Sequence, residues 1–472
     1  MAKTTTNRAS INMTQGPALP LLVRFALPLL IGNALQQVYN MVDSMVVGKF
    51  VGSTALAAVG VAFPVVFMMS SLFMGLGMGA MVMVSQYYGG GEQENLRRTI
   101  DTVYTFLIVG GVPLCLLGIA LTNPILNLLD MPPDARDEAF LYLVILMGGL
   151  IGSLGYNLNA GLLQGIGDSR TPLIFLTIAC LLNIALDLFL VLVIPLGVAG
   201  VAIATIAAQA FSWVFGIFYI NKKYPELRIR PFSFKFDKGI FKQVVRLGLP
   251  AGVQQALFSF AVLMMTRLVN GYGSTYAAGY AAANKLDTFA FLPIQSVTTA
   301  ATTYTGQNIG AGRLDRVNQG TKASILLCIC FAALGLLVIP AGPSLLRMFT
   351  DEAAVVEAGM AFIRRLMPFY WMLGFTFTMN SVMRGAGEAL VPMVSSVLSM
   401  WLARVPAAYL LAHFFGRDNM HFCYPVGWVV GLAITVPYYL SGRWRNKAIT
   451  RAGSTAEAEA EAAEHLKKEL GA

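Results

Sequence analysis

The stretch VRFALPLL at residues 23–30 returns as VRLGLPAG at 245–252, and the interval between these two lines decides the fold. More pairs follow in the same order. Gly52-Ser53-Thr54 matches Gly273-Ser274-Thr275, QYYGGG (86–91) matches QNIGAG (307–312), and QGIGDSRTP (164–172) matches RGAGEALVP (384–392). The offset stays between 220 and 222 residues. Similarity at a constant period marks a duplicated unit.

The duplicated unit is built for lipid. The 472 residues are 56% hydrophobic and 12% charged, with mean hydropathy +0.66. Soluble domains carry about 25% charged residues. Apolar runs of about 20 residues recur along the whole chain, the length an α-helix needs to cross a bilayer. A soluble enzyme is excluded. Reading apolar runs between polar breaks predicts twelve spans: 21–46, 54–84, 100–122, 139–164, 171–195, 198–221, 243–269, 276–304, 319–341, 359–383, 390–415 and 422–442. Each copy therefore holds six spans. An even number returns the chain to its starting side, so the copies are related by a pseudo-two-fold axis along the membrane normal.

The fold class expected is an all-α polytopic membrane protein: two six-helix lobes, 21–221 and 243–442, around a central cleft. A basic linker (222–242) joins them. A polar segment (1–20) precedes the first lobe, and a charged tail (443–472) follows the second. The segment MAKTTTNRASINMTQGPALP has no short apolar core or small-residue cleavage site of a signal peptide. The tail AEAEAEAAEHLKKEL (456–470) reads as a solvated helix.

Basic residues orient the chain. Arg267, Lys285 and Arg404 lie within apolar runs; with the N-terminus cytoplasmic, 24 of the other 30 Lys and Arg fall on the inner side. Eight of them crowd the loop 222–246, whereas the outer loop 123–138 carries Asp130, Asp134, Asp137 and Glu138. Both termini are expected in the cytoplasm of a cell-membrane protein. The formal charge of +9 then reflects topology and the anionic inner leaflet rather than nucleic-acid binding. Cys115, Cys180, Cys328, Cys330 and Cys423 lack metal-ligand spacing, and His413, His421 and His465 form no cluster, so no metal site or cofactor is expected. No oligomerisation motif stands out, and a monomer is expected.

An ionisable group inside a span costs at least about 2.5–3.5 kcal/mol, so each one needs a reason. The first half has two, Asp43 in QQVYNMVDSMVVG (36–48) and Asp187 in LLNIALDLFLV (181–191). Tyr39 and Asn183 each stand four residues earlier, one turn away on the same face. Thr205 in the sixth span adds a hydroxyl. Together they offer hard oxygen ligands that can hold Na⁺ or share a proton. The repeat is an internal control: Asp187 aligns with Ala407, Asn183 with Ala403, and Asp43 with Met264–Met265. Residues serving the shared scaffold would recur, and these do not. In the second half, Lys285, Asp287 and Arg404 are expected to form a mutual charge pair or to meet an anionic substrate group. Gln36, Asn40 and Asn157 join them as candidates for lining a substrate cavity.

The opening FALPLLIGN…VYNMVDSMVVG, with QGIGDSRTP and PLGVAGVAIAT (195–205), resembles the multidrug and toxic compound extrusion (MATE) family over residues 14–445. The resemblance implies an antiporter that exports small organic, often cationic, compounds in exchange for Na⁺ or H⁺. In one branch the ion site is a first-helix Asp with a Tyr one turn earlier, an Asn-x-x-x-Asp pair in the fifth helix and a sixth-helix Thr. Tyr39, Asp43, Asn183, Asp187 and Thr205 match it. A second branch uses acids in the seventh and tenth helices; here QQALFSFAV (254–262) and the tenth span have none. A flippase for a lipid-linked precursor is the alternative that Lys285 and Arg404 leave open, and no nucleophile or His/Asp constellation supports a membrane enzyme.

Overall fold

The computed structural model describes residues 10–450 apart from Asp130 and Pro132, and the tail predicted as a helix at 456–470 lies outside them. No strand occurs among the described residues. The first half consists of α1 (Ala18–Val46), α2 (Ser53–Gly89), α3 (Gln93–Leu128), α4 (Pro133–Gly148), α5 (Leu150–Gly165), α6 (Arg170–Leu188) and α7 (Gly197–Lys223). The second consists of α8 (Lys238–Asn270), α9 (Ser274–Gly310), α10 (Leu314–Gly335), α11 (Val338–Arg347), α12 (Ala353–Leu366), α13 (Tyr370–Gly385), α14 (Leu390–Val397), α15 (Val405–Phe415) and α16 (Cys423–Leu440).

Nine of these rods are long and apolar enough to cross a membrane, and α4 with α5 makes a tenth, bent by 47°. The polar α9 and the broken α12–α13 complete the twelve rods expected. Most rods outrun their apolar cores by several residues, because a helix continues into the headgroup region until a turn stops it. The predicted outer loop is shortened for that reason. Glu138 lies inside α4 rather than in a loop.

The duplication is visible in the backbone. Gly91 and its match Gly312 have φ of 71° and 69°, and Gly167 and Gly387 have 89° and 100°. These left-handed turns end α2, α9, α5 and α13, the conformation glycine adopts at helix C-termini. After each second turn an acid caps the next helix. Asp168 accepts from the backbone N–H groups of Arg170 and Thr171 at 3.0 Å each, and from the Tyr224 hydroxyl at 2.5 Å. Burial and this carboxylate both push the Tyr224 phenol upward, so it stays a donor. Glu388 repeats the arrangement with Leu390 N–H at 2.9 Å, Val391 N–H at 3.3 Å and the Tyr438 hydroxyl at 3.0 Å. Asp168→Ala is expected to destabilise the protein by about 2 kcal/mol, combining a lost cap with a charged hydrogen bond. A loss under about 0.5 kcal/mol in an unfolding titration would contradict this account.

The described chain falls into two compact units, one of residues 10–11, 31–88 and 92–252 and another of 12–30, 89–91 and 253–450. In the first, α7 is the central rod, touching α4, α5 and α6. Gly149, which precedes α5, and Gly152 and Gly155 within it face α7 so closely that a Cβ would meet Ile206, Ala210 and Trp213 at 2.4, 3.0 and 2.3 Å. Small residues bring helices together where lipid supplies no hydrophobic drive. In the same unit α2 crosses the first part of α8 backbone against backbone. A Cβ on Gly75 would meet Gly248 O and Gly252 N at 2.4 Å, and one on Gly79 would meet Val244 O at 2.6 Å. In the second unit α9 is central, against α10, α12 and α13.

Candidate functional site

Three rods of the first unit bring the predicted polar residues together. α1 carries Tyr39 and Asp43, α6 carries Asn183 and Asp187, and α7 carries Thr205. Within α6 the four-residue spacing puts Asn183 and Asp187 on one buried face, each 1% exposed. The Asn183 amide bridges two rods: its Nδ2 donates to Asp187 Oδ2 at 2.9 Å, and its Oδ1 accepts from the Thr205 N–H at 3.2 Å. Thr205 Oγ1 donates to Val201 O at 3.0 Å, and the Tyr39 hydroxyl reaches Thr205.

The central contact joins the two acids. The carboxyl groups of Asp43 and Asp187 lie within hydrogen-bonding distance of each other. Two ionised carboxylates only accept, so this contact requires a proton on one of them or a cation between them. Asp43 Oδ1 and Asp187 Oδ1 are buried without a hydrogen-bond partner. In a low-dielectric site such atoms are costly unless something positive approaches them. Both acids also precede a wide turn: π-helical stretches run from Val47 to Val51 after α1 and from Phe189 to Val193 after α6. Such turns alter the direction in which the neighbouring side chains point.

A cavity of about 70 Å³ opens beside this cluster, lined by Gln36, Tyr39, Asn157, Cys180 and Asn183 among others. Pockets for drug-sized ligands run to about 300–1,000 Å³, so this one suits water or a small ion. Two of the predicted cavity candidates, Gln36 and Asn157, are thus in its lining. Asn40 is not; its carbonyl accepts from the Ser44 hydroxyl at 2.9 Å. The structure adds residues that the sequence does not single out. Tyr142 is 4% exposed and stands within the field of Asp43, Tyr39 and Asp187. One turn before it on α4, Glu138 holds a buried Oε2 without a partner. A lone Tyr in an apolar span, and a Glu at the edge of one, carry no signal of their own.

The charged residues of the second half are not a mutual ion pair. Asp287 accepts from the Tyr370 hydroxyl, Arg404 stacks 3.5 Å from the centre of the Tyr424 ring, and Lys285 lies 5.3 Å from that of Phe349. Tyrosine donors and aromatic faces replace the expected opposite charge. Among the described residues no group of three or more His, Cys, Asp or Glu side chains gathers at one point. Cys115, Cys180, Cys328 and Cys423 are buried, whereas Cys330 is exposed, on the other side of α10 from Cys328 as their spacing requires.

Comparison with known proteins agrees with this architecture. The MatE family model matches residues 28–189 and matches again at 250–410, once on each copy of the repeat. Among curated relatives, the "Probable multidrug resistance protein YpnP" of Bacillus subtilis is 29% identical over 92% of this chain and 97% of its own. The "Probable multidrug resistance protein YoeA" of the same organism is 30% identical, with 90% and 94% covered. An outward-facing MATE family transporter of the MOP superfamily superposes with TM-score 0.85 at 22% identity, covering 94% of this chain and 98% of that one. A mutant of the Vibrio cholerae MATE transporter VcmN gives 0.85 at 20%, covering 91% and 98%. These two show the shared fold. The chain belongs to the MATE family, a family of membrane transporters and not of enzymes.

Proposed function

We propose that this chain is a secondary antiporter that exports small organic compounds, cationic or amphipathic in character, in exchange for Na⁺ or H⁺. The observation that carries the reading is the buried Asp43–Asp187 contact, which needs a proton or a cation. Tyr39, Asn183 and Thr205 complete an oxygen-rich shell, so coupling is assigned to the first half, the branch of the family with its ion site there. Alternating access of two six-helix lobes, with both termini in the cytoplasm, connects that site to the two sides of the cell membrane. The relatives' names, multidrug resistance proteins, support an organic cargo. A lipid-linked precursor fits less well, because its phosphates would be repelled by paired acids.

The test uses the purified chain in proteoliposomes with a cationic fluorescent dye, under an imposed Na⁺ gradient or an imposed pH gradient. One of the two is expected to drive the dye against its own concentration gradient. Dye movement indifferent to both would sink the antiport reading.

A further inference from the structure

The first unit holds a segment that the ion site does not use. After α7 the chain forms a short 3-10 helix, Pro225–Leu227, and then runs without helix or strand from 228 to 237, where α8 begins. Three sets of hydrogen bonds pin it. The Tyr224 hydroxyl donates to Asp168 just before it. Asn221 clasps Ile229, its Nδ2 donating to the Ile229 carbonyl at 2.9 Å and its Oδ1 accepting from the Ile229 N–H at 2.6 Å. The rest lies along the start of α3. Thr105 Oγ1 donates to the Lys235 carbonyl at 3.0 Å, the Asp237 N–H donates to Thr102 Oγ1 at 3.1 Å, and Ser233 Oγ donates to Asp101 Oδ1 at 3.5 Å. A mere tether between two halves needs none of these bonds.

What the pins hold in place is a row of exposed rings. Phe232, Phe234 and Phe236 alternate along the segment and are 74%, 57% and 44% exposed. Phe234 stands at φ 48°, a left-handed conformation that a bulky residue adopts only where its surroundings impose it. Phe236 rests on Phe241 and Phe241 on Phe106, with ring centres 5.0 and 4.8 Å apart. Around the rings Arg228, Arg230, Lys235, Lys238 and Lys242 are all exposed. The acid among them, Asp237, is engaged: Oδ1 accepts from the N–H groups of Gly239 and Ile240 at 2.8 and 3.1 Å, and Oδ2 lies 3.9 Å from Arg98. The pins also set a depth. Thr102 and Thr105 stand in the first turns of the apolar run of α3, and farther along it Val109, Val112 and Leu116 are exposed as a lipid-facing surface is. Backbone outside a helix or sheet cannot enter hydrocarbon unshielded, so the segment itself belongs at headgroup level. From there phenyl rings reach toward acyl chains and long cationic side chains toward phosphates.

We propose that the segment 228–242 is a docking surface for anionic phospholipids of the cytoplasmic leaflet, with Phe232 and Phe234 wedged below the headgroups and Arg230, Lys235 and Lys238 holding their phosphates. The connector is then a membrane anchor of the first unit. Charge complementarity selects this occupant: five cations surround the rings, and a leaflet rich in anionic lipid offers both the phosphates and the apolar bed beneath them. The inference takes from the transporter reading only which side is cytoplasmic, and it makes no use of the ion site.

The test uses the full chain without any ion gradient, so its outcome is independent of the antiport experiment. Phe232→Trp, reconstituted in vesicles of phosphatidylglycerol and phosphatidylcholine, adds one tryptophan to the five of the wild type, and its emission is read as the difference. Lipids brominated near the headgroup end of the acyl chain are expected to quench that emission about twofold more than lipids brominated at the chain end, as a ring seated at the interface requires. In detergent, phosphatidylglycerol is expected to stabilise the wild type against heat at a concentration at least about tenfold below that of phosphatidylcholine, a preference that shrinks at high salt. Arg230→Gln combined with Lys235→Gln and Lys238→Gln is expected to erase the preference. An added tryptophan that no brominated lipid quenches overturns the proposal and leaves the rings to a soluble partner. Equal stabilisation by the two lipids, or by inorganic phosphate in place of phosphatidylglycerol, overturns it too, as does a preference that survives in the folded triple variant. Should the triple variant not fold, the quenching and the lipid comparison on wild type still decide.

Discussion

Asp187→Asn is expected to abolish gradient-driven efflux, by about 100-fold or more, while gradient-independent dye binding changes by less than about threefold. Asparagine matches a protonated aspartate in shape and keeps a donor for the Asp43 contact. It cannot release a proton or present a second anionic oxygen to a cation. The fold should therefore survive and the coupling should not. Asp43→Asn is expected to behave alike. Because the two carboxyls share one proton or ion, the double variant should be no worse than either single one, the non-additivity of groups that act as a unit. Proteoliposome efflux under both gradients measures this. If both single variants kept gradient-driven efflux, the coupling-site assignment would be wrong.

The second large effect is expected at Gly75. A side chain there has no direction of escape, since its Cβ alone would stand 2.4 Å from backbone atoms of Gly248 and Gly252. Backbone cannot swing aside as a flexible side chain does, so Gly75→Leu must drive α2 and α8 apart. Overpacking of this kind costs about 1–3 kcal/mol, occasionally more, and the loss of close helix packing adds to it. Gly77 is the control on the same helix, because a Cβ there meets nothing within 4 Å. Thermal unfolding in detergent should show Gly75→Leu clearly below wild type and Gly77→Leu close to it. Equal shifts would mean that the crossing contributes no special constraint.

Much of this molecule is legible before any coordinates. The repeat and the apolar runs predict twelve rods in two sixes because both follow from one-dimensional periodicities. The polar site is legible for a related reason: Tyr39 with Asp43, and Asn183 with Asp187, sit at the four-residue spacing of a helix face, and a costly acid in lipid stands out. That α1 and α6 would bring the two acids into contact is not written in either span, because it depends on how rods pack. Tyr142 and Glu138 stay hidden for the same reason. The second half misleads in a definite way. Lys285, Asp287 and Arg404 suggest charge pairing, but Phe349, Tyr370 and Tyr424 reach them first, and aromatic residues in apolar spans read as ordinary packing. The role of the acids in QGIGDSRTP and RGAGEALVP is likewise invisible until Asp168 and Glu388 are seen capping helices.

The Gly75–Gly248 crossing has one more consequence, for what the membrane is spared. Where a methyl group would sit 2.4 Å from backbone oxygen and nitrogen, a water molecule cannot be seated either, since even a hydrogen-bonded oxygen stays about 2.7 Å away. A file of waters relaying protons therefore cannot pass between these two helices while they cross in this way. A carrier that runs on an ion gradient is useful only if it does not short-circuit it. Bare backbone laid on bare backbone is, in that sense, insulation.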